Sequence, residues 1–439
     1  AAGERFGADT AGPHTERMLV EFVSANPTGP ITVAAARHAA YGDSLCRILA
    51  FAGHAVEREY YVNDAGAQVL RFAESLAARA RDEEPPEDGY RGAYVAELAA
   101  RIPRAADLEL DELATRGVEL MLAGVAATLD RFQVRFDRFF SERSLHSEGA
   151  IERTLALLGE RGHVYTTEGA TWLRTSALGD DKDRVLRRSS GELTYFAGDV
   201  AYHEDKLRRR PDRAIDVLGA DHHGYVARMK AAWAALGGEP GALELLIMQL
   251  VNLTEGGRRV QMSKREGEFV TLDDLIDDIG VDAARWFLLQ RSHDTTLDLD
   301  LALAREQSQE NPVYYVQYAH ARIAAIRRRA GEPRVAAAGA ADLVAGRASL
   351  HPSERALVRR LLEFPSEAAA CATRRAPHRL TTYGLELAQG FSAFYRDCRV
   401  VGAAEEGGDE DFRLVLSGAC QATIARTLDL LGVEAPESM

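Results

Sequence analysis

The chain has 439 residues, 53 basic and 67 acidic side chains, a net charge of −14 and 46% apolar content. That length suits two or three domains with proper cores, no apolar run approaches a membrane span, and no basic-apolar-small leader opens the chain, so a cytoplasmic protein with no membrane partner is expected. Bulk acidity excludes indiscriminate nucleic-acid binding and leaves local basic patches as the only route to such a partner.

In chain order, the opening Ala1-Ala-Gly-Glu-Arg-Phe-Gly7 lacks an initiating methionine and reads as the tail of a further N-terminal element spanning 1–14. Met18-Leu-Val-Glu-Phe-Val23 is a short apolar run, read as a strand entering the turn Asn26-Pro-Thr-Gly-Pro30. Helical spacing through Ala39, Leu45, Ile48 and Leu49 predicts a helix over 34–51, stopped by Gly53, and Val56 to Val62 returns as a strand. Strand, turn, helix, strand is a right-handed β-α-β unit, so the fold class is α/β with a Rossmann-type, doubly wound parallel sheet.

Residues 66 to about 160 read as mostly helical, broken by the solvated loop 83–89, and are taken as an insertion over about 67–165. Strand signals return at 171–173, 185–186, 215–218 and 245–248, placing the second half of the sheet at about 190–265. After a connecting region, 266–310, Asn311 suits a helix cap and Pro312 a first helical position. Val313, Val316, Ile323 and Ile326 mark one helix face, and everything from 311 to 439 reads as all-α. The cysteines, at 46, 371, 398 and 420, include no Cys-x-x-Cys pair, which speaks for buried thiols and against a zinc or disulfide framework.

Four segments carry chemistry. The Pro/Gly turn at 26–30 puts helix amides and the positive end of a helix dipole beside a bound anion. Tyr195 and Asp199 set a phenol and a carboxylate four positions apart, suited to a cationic group. Gly219-Ala-Asp-His-His-Gly-Tyr225 follows a buried strand, where open α/β sheets bind ligands. A metal site is not expected there, because adjacent strand residues point to opposite faces. Gln261-Met-Ser-Lys-Arg265 lies in a polar loop able to bring an ammonium to phosphate charge. Two basic patches, 322–334 and 355–379, complete the set.

Taken together, the ordered segments Glu21-Phe-Val-Ser-Ala-Asn-Pro-Thr-Gly-Pro30, Tyr60-Tyr-Val-Asn-Asp-Ala-Gly66, Tyr195 to His203, Gly219 to His223, Met262-Ser-Lys-Arg265 and Asn311 to Arg322 resemble those of bacterial arginyl-tRNA synthetases, from about residue 15 to the C-terminus. The resemblance implies a class I catalytic core that activates arginine with ATP and Mg2+ and transfers it to tRNA(Arg), followed by a DALR-type anticodon-binding domain at 311–439; a monomer is expected. By the same resemblance, Glu21, Ser24, Asn26, Tyr195, Asp199, Asp221 and His222 bind arginine. Pro27, Gly29, Thr32, Ala34, Ala35, Met262, Ser263 and Lys264 bind ATP, with Lys264 stabilising departing pyrophosphate. Tyr314, Tyr318, Arg322, Arg327 and Arg396 contact tRNA. Magnesium travels with ATP and has no dedicated protein site.

The family's signature reads His-x-Gly-His, whereas this chain has Thr32-Val33-Ala34-Ala35. One lost phosphate donor costs about 2.7–4 kcal/mol, and two would slow activation roughly 10⁴-fold or more if the costs added. Thr32, Arg37 and His38 are the groups placed to compensate. A working synthetase with a rewired phosphate site is the expectation. The alternatives are a synthetase-like protein that only binds tRNA or arginine, and a ligase that passes arginine to a non-tRNA acceptor.

Overall fold

The computed structural model describes residues 5–260, 263–265, 268–341, 350–406 and 408–439. Its centre is a parallel sheet built on β1 (Arg17–Glu21) and β2 (Ala55–Val62), joined by α1 (Val33–Phe51). Thr32 caps α1 and Gly53 follows its end with φ +105°, so this β-α-β unit falls where the periodicity predicts. Gly42 lets α1 lie against Phe22: a methyl there would come within 2.2 Å of the ring.

The helices α2 (Ala67–Ala80), α3 (Ala93–Arg101) and α4 (Leu110–Arg131) form the expected helical insertion, but the chain rejoins the main sheet inside it. Arg138–Ser141 is β3, pairing with β2 in parallel. Four residues with Phe139 exposed offer too little pattern for periodicity to identify them as a strand. Two helices follow, α5 (Glu142–Ser147) and α6 (Ala150–Glu160). The strand signals at 171–173 and 185–186 are real but stand apart from the core: β4 (Val164–Thr167), β5 (Ala170–Leu173) and β6 (Arg184–Arg187) make a small antiparallel sheet. The core resumes with α7 (Tyr195–Arg208), β7 (Arg213–Gly219), α8 (Val226–Ala235) and β8 (Leu243–Met248). The five-stranded order is β3-β2-β1-β7-β8, all parallel, so the site-bearing loops gather at one edge.

The polar stretch after β9 (Val251–Glu255) turns back as a hairpin into β10 (Arg258–Arg259), through Gly256 and Gly257 at positive φ. Two short paired strands, β11 (Ser263–Arg265) and β12 (Glu268–Phe269), lead to α9 (Leu272–Leu289), β13 (Leu297–Asp300) and α10 (Leu301–Arg305). The rest is helical: α11 (Pro312–Ala330), α12 (Glu332–Ala340), α13 (Pro352–Arg374), α14 (His378–Asp397) and α15 (Glu410–Leu431). Asn311 caps α11 through Val313 N, and Val313, Val316, Ile323 and Ile326 are buried as predicted.

Buried cations lock the helical half to the core. Arg285 donates to Asp43 on α1 (2.6 Å), to the Leu431 carbonyl at the end of α15 (2.9 Å) and to the Phe132 carbonyl after α4 (3.0 Å). Arg375, predicted within a basic patch, instead grips Glu244 of β8 with two 2.9 Å bonds. Arg360 and Arg379 of the same patch are paired with Glu386 and Glu367. All four cysteines are free and buried, and among the described residues no helix is long and apolar enough to cross a membrane.

Candidate active site and anticodon-type platform

The strand β1 ends at Glu21, and the next residues leave it in an uncommon shape, Val23 at φ +67° and Ser24 at φ +42°. A β-branched residue in the left-handed region is strained, and such strain concentrates at ligand sites. Neighbouring elements hold the turn. Ser24 Oγ donates to Glu21 Oε1 (3.0 Å) and accepts from the Tyr61 amide (3.0 Å). Tyr60 donates to the Ala25 carbonyl and Tyr94 to that of Thr28, both at 2.8 Å. Exposed Asn26 meets Asn63 at 3.4 Å, and Gly29 runs beneath the Tyr94 hydroxyl. Pro27 is buried within the turn. Glu21 itself is buried, with its second oxygen 2.6 Å from Lys206 Nζ; it braces Ser24 from beneath and is not open to a ligand as expected.

At the start of α1, Thr32 Oγ1 accepts from the Ala35 amide at 3.5 Å, a long cap that leaves the hydroxyl proton free to donate. The turn is laced to the segment that follows β12: Val33 N donates to the Val270 carbonyl (3.2 Å), Leu272 N to that of Ile31 (2.7 Å), and Thr32 bridges Thr271. The segment from Val270 to Leu272 is therefore tethered to the turn at the start of α1. Met262 lies outside the described residues, as do the side chains of Ser263 and Lys264. Ala34 is exposed and Ala35 half-buried.

Two of the expected compensating groups point elsewhere. Arg37 is buried and spends its guanidinium on the carbonyls of Gln249 (2.8 Å), Leu250 (3.5 Å) and Ser292 (2.8 Å), with burial lowering its pKa to about 10. It is a clamp between α1 and the two loops that follow β8 and α9, not a phosphate ligand. Arg37→Met is expected to destabilise the fold by about 3 kcal/mol, because three part-buried carbonyls lose their charged donor. Chemical denaturation reads that loss, and the arginine KM of the folded fraction should stay unchanged. His38 turns inward against Val217 of β7; burial pushes its pKa to about 4, and its Nδ1 has no hydrogen-bond partner. At neutral pH it is an uncharged ring, not a cationic substitute. Thr32 alone of the three keeps a donor at the turn.

The cation-type pocket lies at the C-terminal edge of the sheet. Asp199, one turn into α7, accepts a hydrogen bond from Tyr225, and burial raises its pKa. Glu142, the first residue after β3, lies behind it, 3.6 Å from where a side chain on Gly198 would begin. Burial first, then Asp199 and Asp64, push Glu142 up to about 7, against a hydrogen bond from Tyr61. Asp64 is tied to the start of α5 through Ser141 Oγ (2.6 Å) and Arg143 N (2.9 Å). Buried Glu142 and half-buried Asp199, both held against their preference to ionise, make a site that a planar cation would relieve.

Tyr195, expected as the phenol of this pocket, is 69% exposed and stands at its mouth beside Gly66; Tyr225 is the phenol on Asp199. Glu142, Tyr225 and Asp64 are absent from the expected set. The only signal for Glu142 is a carboxylate two positions after the aromatic pair Phe139-Phe140, legible once β3 is known to be a core strand. The segment 220–225 is a 3-10 turn, not strand, and presents Asp221 and His222 to solvent 3.5 Å apart, His222 edge-on to Tyr225.

On the helical domain, Tyr314, Tyr318 and Arg322 share one face of α11. The two phenols stack at 6.3 Å, and Arg322 lies over Tyr318 (4.6 Å) and Tyr395 (5.3 Å). Tyr318 and Arg322, together with Arg396, border a cleft of about 330 Å³ that Tyr314 does not line. Arg327 is not part of it: its guanidinium donates to Gln421 of α15 at 2.7 Å, on another face of α11.

Residues 104–323 match the model for the class I tRNA synthetase (R) catalytic domain, and 316–439 that for the DALR anticodon binding domain. An arginine–tRNA ligase of Frankia alni is 49% identical across all of this chain and 81% of its own length. The chain belongs to the arginyl-tRNA synthetase family. An arginine–tRNA ligase of Desulforudis audaxviator is 47% identical, with 80% of its length covered. A solved structure assigned as an arginyl-tRNA synthetase of Campylobacter jejuni superposes with a TM-score of 0.89 at 35% identity, covering 97% of this chain and 94% of that one. The Thermus thermophilus arginyl-tRNA synthetase gives 0.78 at 26% identity, covering 96% and 83%. The class I catalytic-domain match takes in β3, β7 and β8 of the parallel sheet, and the DALR match takes in most of α11 and all of α12–α15.

Proposed function

We propose that this synthetase remains catalytic despite the altered signature, activating arginine with ATP and passing it to tRNA(Arg) as a cytoplasmic monomer. The Asp199–Glu142 pair carries the reading: a catalyst released from arginine would gain stability by losing either carboxylate. The guanidinium enters between Asp199 and Glu142 with Tyr195 closing over it, while Ser24 and Asn26 take the amino end. ATP lies along Pro27, Gly29 and the start of α1, with Asp221 and His222 toward the ribose. Amide groups of that helix end, the Thr32 hydroxyl and Lys264 oppose the phosphates. Magnesium enters on the ATP phosphates. Anticodon bases stack on Tyr314, Tyr318 and Arg322, each base contributing about 1–3 kcal/mol.

The reading has a pH signature. The groups facing Glu142 are Asp199, Asp64, Tyr61 and, at 4.0 Å, His146. Free Glu142 sits near 7, so below that pH an arriving guanidinium must displace its proton. Arginine affinity is expected to fall about ten-fold per pH unit below the midpoint and to level off above it. Calorimetric titration of arginine across this range, in buffers of different ionisation enthalpy, measures both the slope and the released proton. Affinity independent of pH, with no proton released, would remove Glu142 from the site.

A further inference from the structure

We propose that Lys206 is a positioning residue for the amino-acid site: clamped between Glu21 and Asp216, its ammonium holds the end of β1 in the shape that brings Ser24 and Asn26 to the substrate's amino end. The proposal rests on the arginine-binding reading above and adds a residue that touches no reacting atom.

Glu21 and Asp216 are register partners on neighbouring parallel strands, so their carboxylates would stand side by side in the interior. Lys206 reaches between them from α7, its side chain fully buried, 2.6 Å from Glu21 Oε2 and 2.7 Å from Asp216 Oδ1. The other Asp216 oxygen meets His203 Nε2 at 2.9 Å, while His203 Nδ1 meets the Asp199 carbonyl at 2.8 Å. Both ring nitrogens face oxygen acceptors, so His203 is tied into the same cluster and links Asp216 to the backbone at Asp199.

An apolar set could hold α7 on the sheet equally well; what a buried hydrogen-bonded cluster adds is direction. That direction is used at once. The remaining Glu21 oxygen takes the Ser24 hydroxyl at 3.0 Å, and Ser24 is the second of two left-handed residues that have no glycine to ease them. The helix bearing Lys206 also bears Asp199, so one rigid element governs both ends of the amino acid's site.

The test charges tRNA with labelled arginine, varying arginine and ATP separately, for the unaltered chain, Lys206→Met and the doubly neutralised Lys206→Met/Asp216→Asn. In both variants the KM for arginine should rise about ten-fold or more, as expected for a lost charge-assisted bond, with the KM for ATP within about two-fold. Recovery of the original arginine KM in the double variant would mean that Lys206 only balances charge, and a parallel rise in both KM values would assign it a general structural role; either overturns the proposal. Should neither variant fold, near-isosteric Asp216→Asn decides, because it keeps Lys206 but loosens its clamp. A rise of about three-fold confined to arginine is then expected, and no change overturns the proposal. An unaltered chain without saturable dependence on arginine would overturn the site reading itself, a result distinct from all of these.

Discussion

Replacing Asp199 with Asn is expected to lower kcat/KM for arginine about 10³-fold, roughly 4 kcal/mol of lost binding to a half-buried, charge-paired guanidinium. The KM for ATP should stay close to that of the unaltered chain, because the groups that Asp199 meets are Tyr225 and Glu142. Thermal stability should hold or rise. The carboxylate is buried beside another, and burial already raises its pKa, so its charge works against the empty fold. A variant that loses arginine yet melts no earlier is the pattern of a site under strain for function. Equal loss toward arginine and ATP would instead indicate general damage.

The second large effect is a gain. Thr32→His with Ala35→His should raise the rate of arginine activation by about 10²-fold or more, since one phosphate donor is worth about 2.7–4 kcal/mol, while the amino acid chosen does not change. The exchange has a structural cost. Thr32 is the cap of α1, and its loss should cost about 1 kcal/mol of stability. Rapid-quench measurement of adenylate formation, beside a melting curve, separates the two. A rate unmoved by the paired imidazoles would mean that the phosphates do not lie at this turn.

How much of this was legible in the sequence depended on where the information resides. Local signals served well. The spacing from Ala34 to Phe51, the Asn311-Pro312 cap and the apolar face of α11 predict elements that the fold contains almost residue for residue. Of the small sheet, β5 and β6 were visible as strands, but β4 and the separate body were not, because pairing partners are a tertiary choice. The strand β3 escaped for lack of pattern, and with it Glu142, whose position matters only because β3 belongs to the core.

Buried charges escaped for a different reason. Nothing in the sequence marks Lys206 or Arg285 as buried, or shows where Arg37 turns, since a sequence pattern treats charge as exposure. Their partners lie far along the chain: Glu21 is 185 positions from Lys206, and Ser292 is 255 from Arg37. The left-handed Val23-Ser24 turn carries no glycine to announce it. For Arg37 and His38 the resemblance placed both near the phosphates, and only the directions of their side chains show otherwise.

The central claim is that arginine recognition survives here alongside a working, altered phosphate site. Its most direct measurement is transfer of labelled arginine to tRNA(Arg) by the purified chain with ATP and Mg2+. The account predicts acid-precipitable arginyl-tRNA that accumulates in proportion to enzyme and disappears in Asp199→Asn. Tight tRNA binding with no arginine transferred at any enzyme concentration would contradict it and leave a protein that only binds.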